Sequence, residues 1–458
     1  MTKAASRFFS SAVVRACTPK VCSKGHVPAI LLVLLSCSCF SQAQPLSEIS
    51  ADELSDDEFF QNDVATVVEP DNSRAFTRTH PQLGGQSLTI GMDAWVRDEP
   101  FANAKILGML GVNTHVLPRS QVKNSDCPVP WLELEPKGFV CAPAKPSQQP
   151  PSSKLPRETV RGLPGKYAVA TDQTVFYQSV EDALYGMGGR AAMGDMVKRR
   201  ASIPIEDGTR LWRTERNEYV DPTTLRHTRG SAFSGVDLRV EGAPKLPFAF
   251  VMNSTKHRSK VSVYRAPTAT SRLSKQMPAR TVVEILGEST NSEYWEIPNG
   301  KFIRKEDVRV VEKQPTPATL SVGGKWIDVD LERQLVVAYV GDNPVFATLA
   351  STGKGKNLTP SGVYNITRKK LETTMRSDRS KEQRYSVAVP WAVYFNEAFA
   401  FHAAYWHNGF GTRQSHGCVN LTPADAAQIF HFVGPSLPVG WTAVHSHESQ
   451  PGTIVWVH

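Results

Sequence analysis

Residues 325–349 read Lys325-Trp-Ile-Asp-Val-Asp330-Leu-Glu-Arg-Gln334-Leu-Val-Val-Ala-Tyr-Val340-Gly-Asp-Asn-Pro344-Val-Phe-Ala-Thr-Leu349. Apolar and polar residues alternate at 326–330, an apolar run follows at 335–340, and a Gly-Asp-Asn-Pro turn separates it from 345–349. Period-two alternation and short β-branched runs bounded by turn residues are strand signatures, so the stretch predicts a β-meander with almost no helix. A Gly- and Pro-bearing loop at 351–362 then precedes another strand at 363–367; its Lys354 and Lys356 are expected to be solvated.

Working outward, residues 95–141 and 261–311 share a layout. Each opens on an Arg and a Pro (Arg97 and Pro100; Arg265 and Pro267), passes through short β-rich segments, and reaches a Trp (Trp131; Trp295) before a Gly (Gly138; Gly300). Short strands at close spacing predict small all-β barrels whose order of features resembles bacterial SH3-like domains, with the tryptophans as core packing. The 165–250 stretch, with Trp212, has a similar β-rich flavour. The expected fold class is mainly β: small SH3-like barrels followed by a β-rich catalytic domain with few short helices.

The predicted organisation is an export signal at 1–43, an acidic tether at 44–80, an SH3-like module at 81–141 and a Pro-rich linker at 142–164. A middle module at 165–250, an SH3-like module at 257–312, a catalytic domain at 319–446 and a tail at 447–458 complete it. Basic residues up to Lys24 followed by the apolar run at 29–35 form the order of a secretory signal, and the run is too short to span a bilayer. Two processing sites compete: a lipobox-like Leu34-Leu-Ser-Cys37, which would lipidate Cys37, and the small-x-small Ser41-Gln-Ala43. Nine acids and no base between 45 and 73 mark a self-repelling tether.

The chain of 458 residues carries a formal charge of +8, but five of its 52 lysines and arginines and none of its acids precede residue 45. The remaining 47 bases against 44 acids argue against a nucleic-acid partner. Of seven cysteines, Cys17, Cys22, Cys37 and Cys39 belong to the signal or its edge, Cys127 and Cys141 are a disulfide candidate in an oxidising compartment, and Cys418 is left unpaired.

That unpaired cysteine lies in Ala400-Phe-His402-Ala-Ala-Tyr-Trp406-His-Asn-Gly-Phe-Gly-Thr-Arg413-Gln-Ser415-His416-Gly417-Cys418-Val-Asn420-Leu421. A cysteine nucleophile needs an imidazole to take its proton, and a glycine neighbour lets backbone N–H groups approach a developing oxyanion. Thr422-Pro-Ala-Asp425 reads as a helix start, with Thr422 as N-cap and Asp425 closing a capping box, and its dipole would lower the thiol pKa.

His402 followed by Ser415-His416-Gly417-Cys418-Val-Asn420 resembles the signature of the L,D-transpeptidases, exported bacterial enzymes of peptidoglycan with a mainly β catalytic domain. The resemblance covers about 324–445 and extends to Thr359-Pro-Ser-Gly362 and Trp406. It implies Cys418 as nucleophile, His402 as base, His416 as the residue that orients the loop and polarises the thiol, and the Gly417 and Cys418 amides at the oxyanion. Ser415, Asn420, Trp406 and Arg413 are expected to support or bind the substrate. The implied reaction is attack on the carbonyl of the position-three diamino acid of a tetrapeptide stem, release of D-alanine, and transfer to an amine as a 3-3 cross-link. Water as acceptor would make a carboxypeptidase, and a protein lysine an anchoring enzyme.

Two rivals remain open. Seven of the 12 histidines fall at 402–458, but no acid lies between His402 and Asn420 and the spacing is unlike zinc motifs, so no metal and no cofactor are expected. His407, His431, His445, His447 and His458 are taken as surface or packing residues. The other rival is a non-enzymatic wall-binding lipoprotein. The expected partners are stem peptides, cell-wall glycan gripped by the modules, and a membrane through a lipid anchor, in the periplasm or cell envelope.

Overall fold

The alternation at 325–349 becomes three adjacent antiparallel strands, Lys325–Asp330, Leu335–Val340 and Asn343–Leu349. They belong to a computed structural model that describes residues 77–79, 86–135, 137–152, 161–191, 193–206, 208–252, 260–318, 323–376 and 386–458. The export signal, Cys37 and the acidic tether lie outside the described residues, except Thr77–Thr79, which pairs with Ser120–Lys123. Among the described residues no helix is long and apolar enough to cross a membrane.

Residues 447–458 are not a tail. Ile454–Val457 is an inner strand, parallel to Lys325–Asp330 on one side and antiparallel to Gly362–Asn365 on the other. An apolar Ile-Val-Trp-Val run satisfies two otherwise open edges there, which moves the end of the catalytic domain from 446 to beyond 454.

A second sheet faces the first. Arg368–Arg376, Ser386–Asn396 and Phe399–Ala403 run antiparallel in sequence, Val419–Leu421 lies parallel beside Phe399–Ala403, and Trp441–His445 pairs outside Arg368–Arg376. Alternation sorts its side chains. Trp391, Val393, Phe395, Phe401, Ala403, Val419 and Leu421 pack against Ile327, Val329, Val336 and the helix Pro423–Phe432. Ala392, Tyr394, Ala400 and Cys418 share the opposite face. The long strand reads as a continuous apolar run because both of its faces are covered.

The two flanking modules extend this sheet. In the first, Ile106–Leu110 pairs antiparallel with Trp441–His445. In the middle module, Met196–Pro204 meets the hairpin of Arg368–Arg376 and Ser386–Asn396 through a parallel bridge, Met196 to Val387. The third module stacks instead, placing Phe248, Phe250, Met252 and Val311 against Trp326, Val337 and Tyr339.

Two boundaries shift. The linker expected from 142 begins inside the first module, because Ala144–Pro146 pairs with Leu88–Ile90. Phe248–Val251, assigned to the middle module, lies between Val282–Glu284 and Val308–Val311, so the third module starts before 257. Its four residues are all buried, two of them in this module's own core. Trp131 and Trp212 are buried as expected, whereas Trp295 is half-buried beneath the Lys305 ammonium.

Candidate active site

Strand register builds the site. His402 is opposite Asn420 in the parallel pair of Phe399–Ala403 with Val419–Leu421, and Cys418 precedes Asn420 by two residues, so all three are set on one face. Cys418 is 2% exposed and His402 3%. The Cys418 thiol donates to the Ala398 carbonyl at 3.7 Å.

The imidazole tautomer follows from its partner. His402 Nδ1 lies 3.3 Å from the Ala403 carbonyl, which only accepts, so Nδ1 carries the hydrogen and Nε2 the lone pair. Burial lowers the His402 pKa to about 4, opposed by the bond to the Ala403 carbonyl. The ring is therefore neutral at ordinary pH and able to accept a proton.

The turn carrying Cys418 is pinned from beneath. Gly417 has φ +124°, a region that favours glycine, and its carbonyl accepts from Thr359 Oγ1 at 2.6 Å. The same hydroxyl accepts from the Gly353 N–H at 3.0 Å, joining the 351–362 loop to the turn. Ser351 and Asn420 exchange both backbone hydrogen bonds at 2.9 Å. Ser415 Oγ donates to the Cys418 carbonyl and accepts the Gly417 N–H at 3.0 Å. That last bond corrects one expectation, since the Gly417 amide is engaged with Ser415 rather than directed at an oxyanion.

Three further expectations change. The helix Pro423–Phe432 starts as foreseen, with Thr422 Oγ1 accepting from the Asp425 N–H at 3.2 Å. However, the strand Val419–Leu421 intervenes, placing the cap roughly 13 Å along the chain from Cys418 at about 3.3 Å per residue. Dipole effects are strongest within the first turn, and the cap lies one strand away from the thiol. The Asp425 carboxylate accepts from Ser234 Oγ at 3.1 Å, the Gly235 N–H at 2.8 Å and Thr348 Oγ1, tying the helix to neighbouring segments rather than only to its own cap. Arg413, expected at the substrate, donates to the main-chain carbonyls of Gly353 at 3.2 Å and Leu331 at 2.8 Å, which makes it a loop brace.

Trp406 is half-buried, its ring 6.0 Å from that of His402. His416 is half-buried beside Gly417. Lys354 and Lys356 are exposed.

Sequence reasoning missed Thr359's bridging role and gave His407 no role. His407 Nδ1 accepts from the Gly409 N–H at 3.2 Å, so its Nε2 carries the hydrogen. That nitrogen is 3.1 Å from the Asn420 amide, whose oxygen must then face it. Burial, then the nearby His402 and Arg280, lower the His407 pKa to about 4. The signal available was proximity to Trp406 alone, which does not separate a packing histidine from a bracing one.

Elsewhere, the sulfurs of Cys127 and Cys141 are bonded, with Cα atoms 5.9 Å apart.

Residues 324–457 match the YkuD family profile, described as the L,D-transpeptidase catalytic domain. No curated protein matches the chain. Among solved structures, the chain is similar to an Enterococcus faecium L,D-transpeptidase cysteine-to-serine mutant at 22% identity, over 32% of this chain and 55% of that one, with a TM-score of 0.25. It is also similar to an L,D-transpeptidase from Mycobacterium smegmatis at 19% identity, over 46% and 99% of the respective chains, with a TM-score of 0.25. The match thus spans about half the length of the Enterococcus protein.

Proposed function

Residues 324–457 carry an L,D-transpeptidase catalytic domain of the YkuD family, and from that premise we propose that the chain is a cell-envelope acyltransferase using Cys418 as nucleophile. The observation that carries this reading is the register of His402 with Asn420, which sets the neutral imidazole and the thiol on one sheet face. Neither side chain reaches that arrangement through local sequence alone.

The steps follow from the groups present. His402 Nε2 takes the thiol proton as sulfur attacks the position-three carbonyl of a tetrapeptide stem. The tetrahedral oxyanion is met by the Cys418 N–H, held by a turn that Thr359 and Ser415 brace. Collapse breaks the C–N bond, His402 returns the proton to the leaving D-alanine amine, and a thioester remains. An amine of a second stem attacks the thioester, His402 accepts its proton, and sulfur departs to regenerate the thiol. His416, half-buried beside the turn, orients the loop, while Asn420, braced by His407, and Trp406 border the acyl group.

The first and third modules are read as wall-gripping elements, and the amino-terminal segment as an export signal with a lipid anchor at Cys37. No cofactor enters the reaction, since cysteine acyl transfer needs a base, oxyanion donors and orientation.

The test is intact-protein mass spectrometry of the mature protein and its Cys418→Ala form after incubation with a tetrapeptide-stem muropeptide and, separately, a carbapenem. Acylation of the native protein alone is expected. Dimeric 3-3 products would identify the cross-linking acceptor, whereas a released tripeptide would identify water. A reduced, folded native protein that takes up neither compound would replace the enzyme with a wall-binding module.

A further inference from the structure

Cys418 shares its buried cluster with residues from outside the catalytic domain: Leu163, Tyr167, Val169 and Met196 pack there with Ala388, Tyr394, Ala400 and Tyr405. We infer that segments 161–191, 193–206 and 208–230 wall the sheet face on which Cys418 lies, and that Tyr405 is the positioning residue through which this wall holds the segment from His402 to Trp406 against Cys418. The inference rests on Cys418 being the reacting group.

Tyr405 is held at three points. Its hydroxyl donates to the Ala388 carbonyl at 2.8 Å, on the hairpin strand of the Cys418 face. Its carbonyl accepts from Thr228 Oγ1 of the middle module at 2.7 Å. Its ring lies 4.7 Å from that of Tyr167, also of the middle module. Three residues earlier in sequence is His402, and the next residue, Trp406, places its ring 5.1 Å from Tyr405 and 6.0 Å from His402. Displacing Tyr405 therefore displaces the base.

The wall itself is fastened by ion pairs, one of them centred on a buried carboxylate. Tyr167 O–H donates to Glu372 Oε2 at 2.8 Å, and Glu372 also pairs with Lys198 and, at 3.4 Å, with Arg200. The side chain of Asp195 is 1% exposed; one oxygen takes Arg216 at 2.7 Å and Arg190 at 3.1 Å, and the other accepts the Ser386 N–H at 3.0 Å. Within the same hairpin, Trp391 sits at φ +61° and donates its indole N–H to the Gly162 carbonyl at 2.6 Å. Such strained backbone persists where its surroundings over-determine it, and here the middle module supplies part of the constraint.

The test uses the full mature chain carrying Tyr405→Phe, which removes only the hydroxyl to Ala388, and separately Thr228→Val, which removes the donor to the Tyr405 carbonyl. Tyr405→Phe deletes one hydrogen bond, and Thr228→Val deletes that to the Tyr405 carbonyl together with the one its oxygen accepts from the Gly230 N–H at 3.2 Å, so opening of the site should become roughly tenfold easier or more. The expected result is a Cys418 alkylation rate with iodoacetamide raised about tenfold, and a kcat lowered with KM within about twofold, at a melting temperature near wild type. Wild-type alkylation and kcat in both folded variants would overturn the assignment. If Tyr405→Phe does not fold, Thr228→Val, on a half-buried residue of the module, decides alone. Alkylation needs no turnover, so a changed alkylation rate in a protein that never acylates on a stem would retain the wall and discard the proposed reaction.

Discussion

The first and middle modules both join the same sheet but hold it by different means. The first adds a strand to its margin: Leu110, Met109 and Gly108 pair with Trp441, Ala443 and Val444, and the seam is apolar, with Leu107, Leu110, Trp441 and Val444 in one cluster. The middle module adds only the Met196–Val387 bridge at the strand and mainly covers a face, through Tyr167, Thr228 and a carboxylate set against cations. Strand addition asks for little beyond backbone groups and greasy side chains, so it can carry a passenger. A clasp centred on a buried carboxylate such as Asp195 is costly when a partner is lost, which suits a part that must stay in one place.

The largest effect should fall at the covered face. Cys418→Ala is expected to abolish acylation, and His402→Gln to lower kcat/KM by about 10²- to 10⁴-fold, read by stopped turnover of a stem substrate. Retained acylation in His402→Gln would shift the base elsewhere.

At the margin, Gly108→Val should cost stability rather than chemistry. A Cβ there would meet the Ala443 carbonyl at 2.3 Å and the Trp441 ring at 2.5 Å, so about 1–3 kcal/mol or more is expected from overpacking. Thermal unfolding would report it, with kcat of the folded fraction within about twofold of wild type. A matching fall in kcat would erase the contrast between the two junctions.

Smaller and more local, replacing Cys127 and Cys141 with serine opens a loop with a sequence separation of 14. Roughly 3 kcal/mol should be lost by denaturant titration, with Cys418 acylation unaltered.

The smallest change concerns pH. His402 has its pKa lowered from 6.5 to about 4, so the imidazole keeps its lone pair until pH falls through about 4. The acid limb of kcat/KM should therefore lie near 4, and a limb centred near 6.5 would mean that the base is exposed to water during turnover.

What the sequence disclosed follows from how far apart the participants are. The motif around Cys418 was legible because its chemistry is nearly contiguous, and the meander because its turns are short. Thr359 was quoted within the family pattern but its bond to the Gly417 carbonyl spans 58 residues, and Tyr167 meets Glu372 across 205. No local pattern marks such partners. Ile454–Val457 was misjudged for a related reason: four apolar residues past the motif gave a strand signal too brief to outweigh their position. His407 was missed because imidazoles that brace and imidazoles that fill space have the same spelling.

The placement of Ile454–Val457 also sets an order of events during synthesis. Lys325–Asp330 leaves the ribosome more than a hundred residues before the strand that must lie beside it, and Gly362–Asn365 waits for the same partner. Until residue 457 has emerged, the sheet is split in two with both inner edges open. A chain interrupted after Cys418 but before that strand would hold both Cys418 and His402 and still leave those two strand edges open.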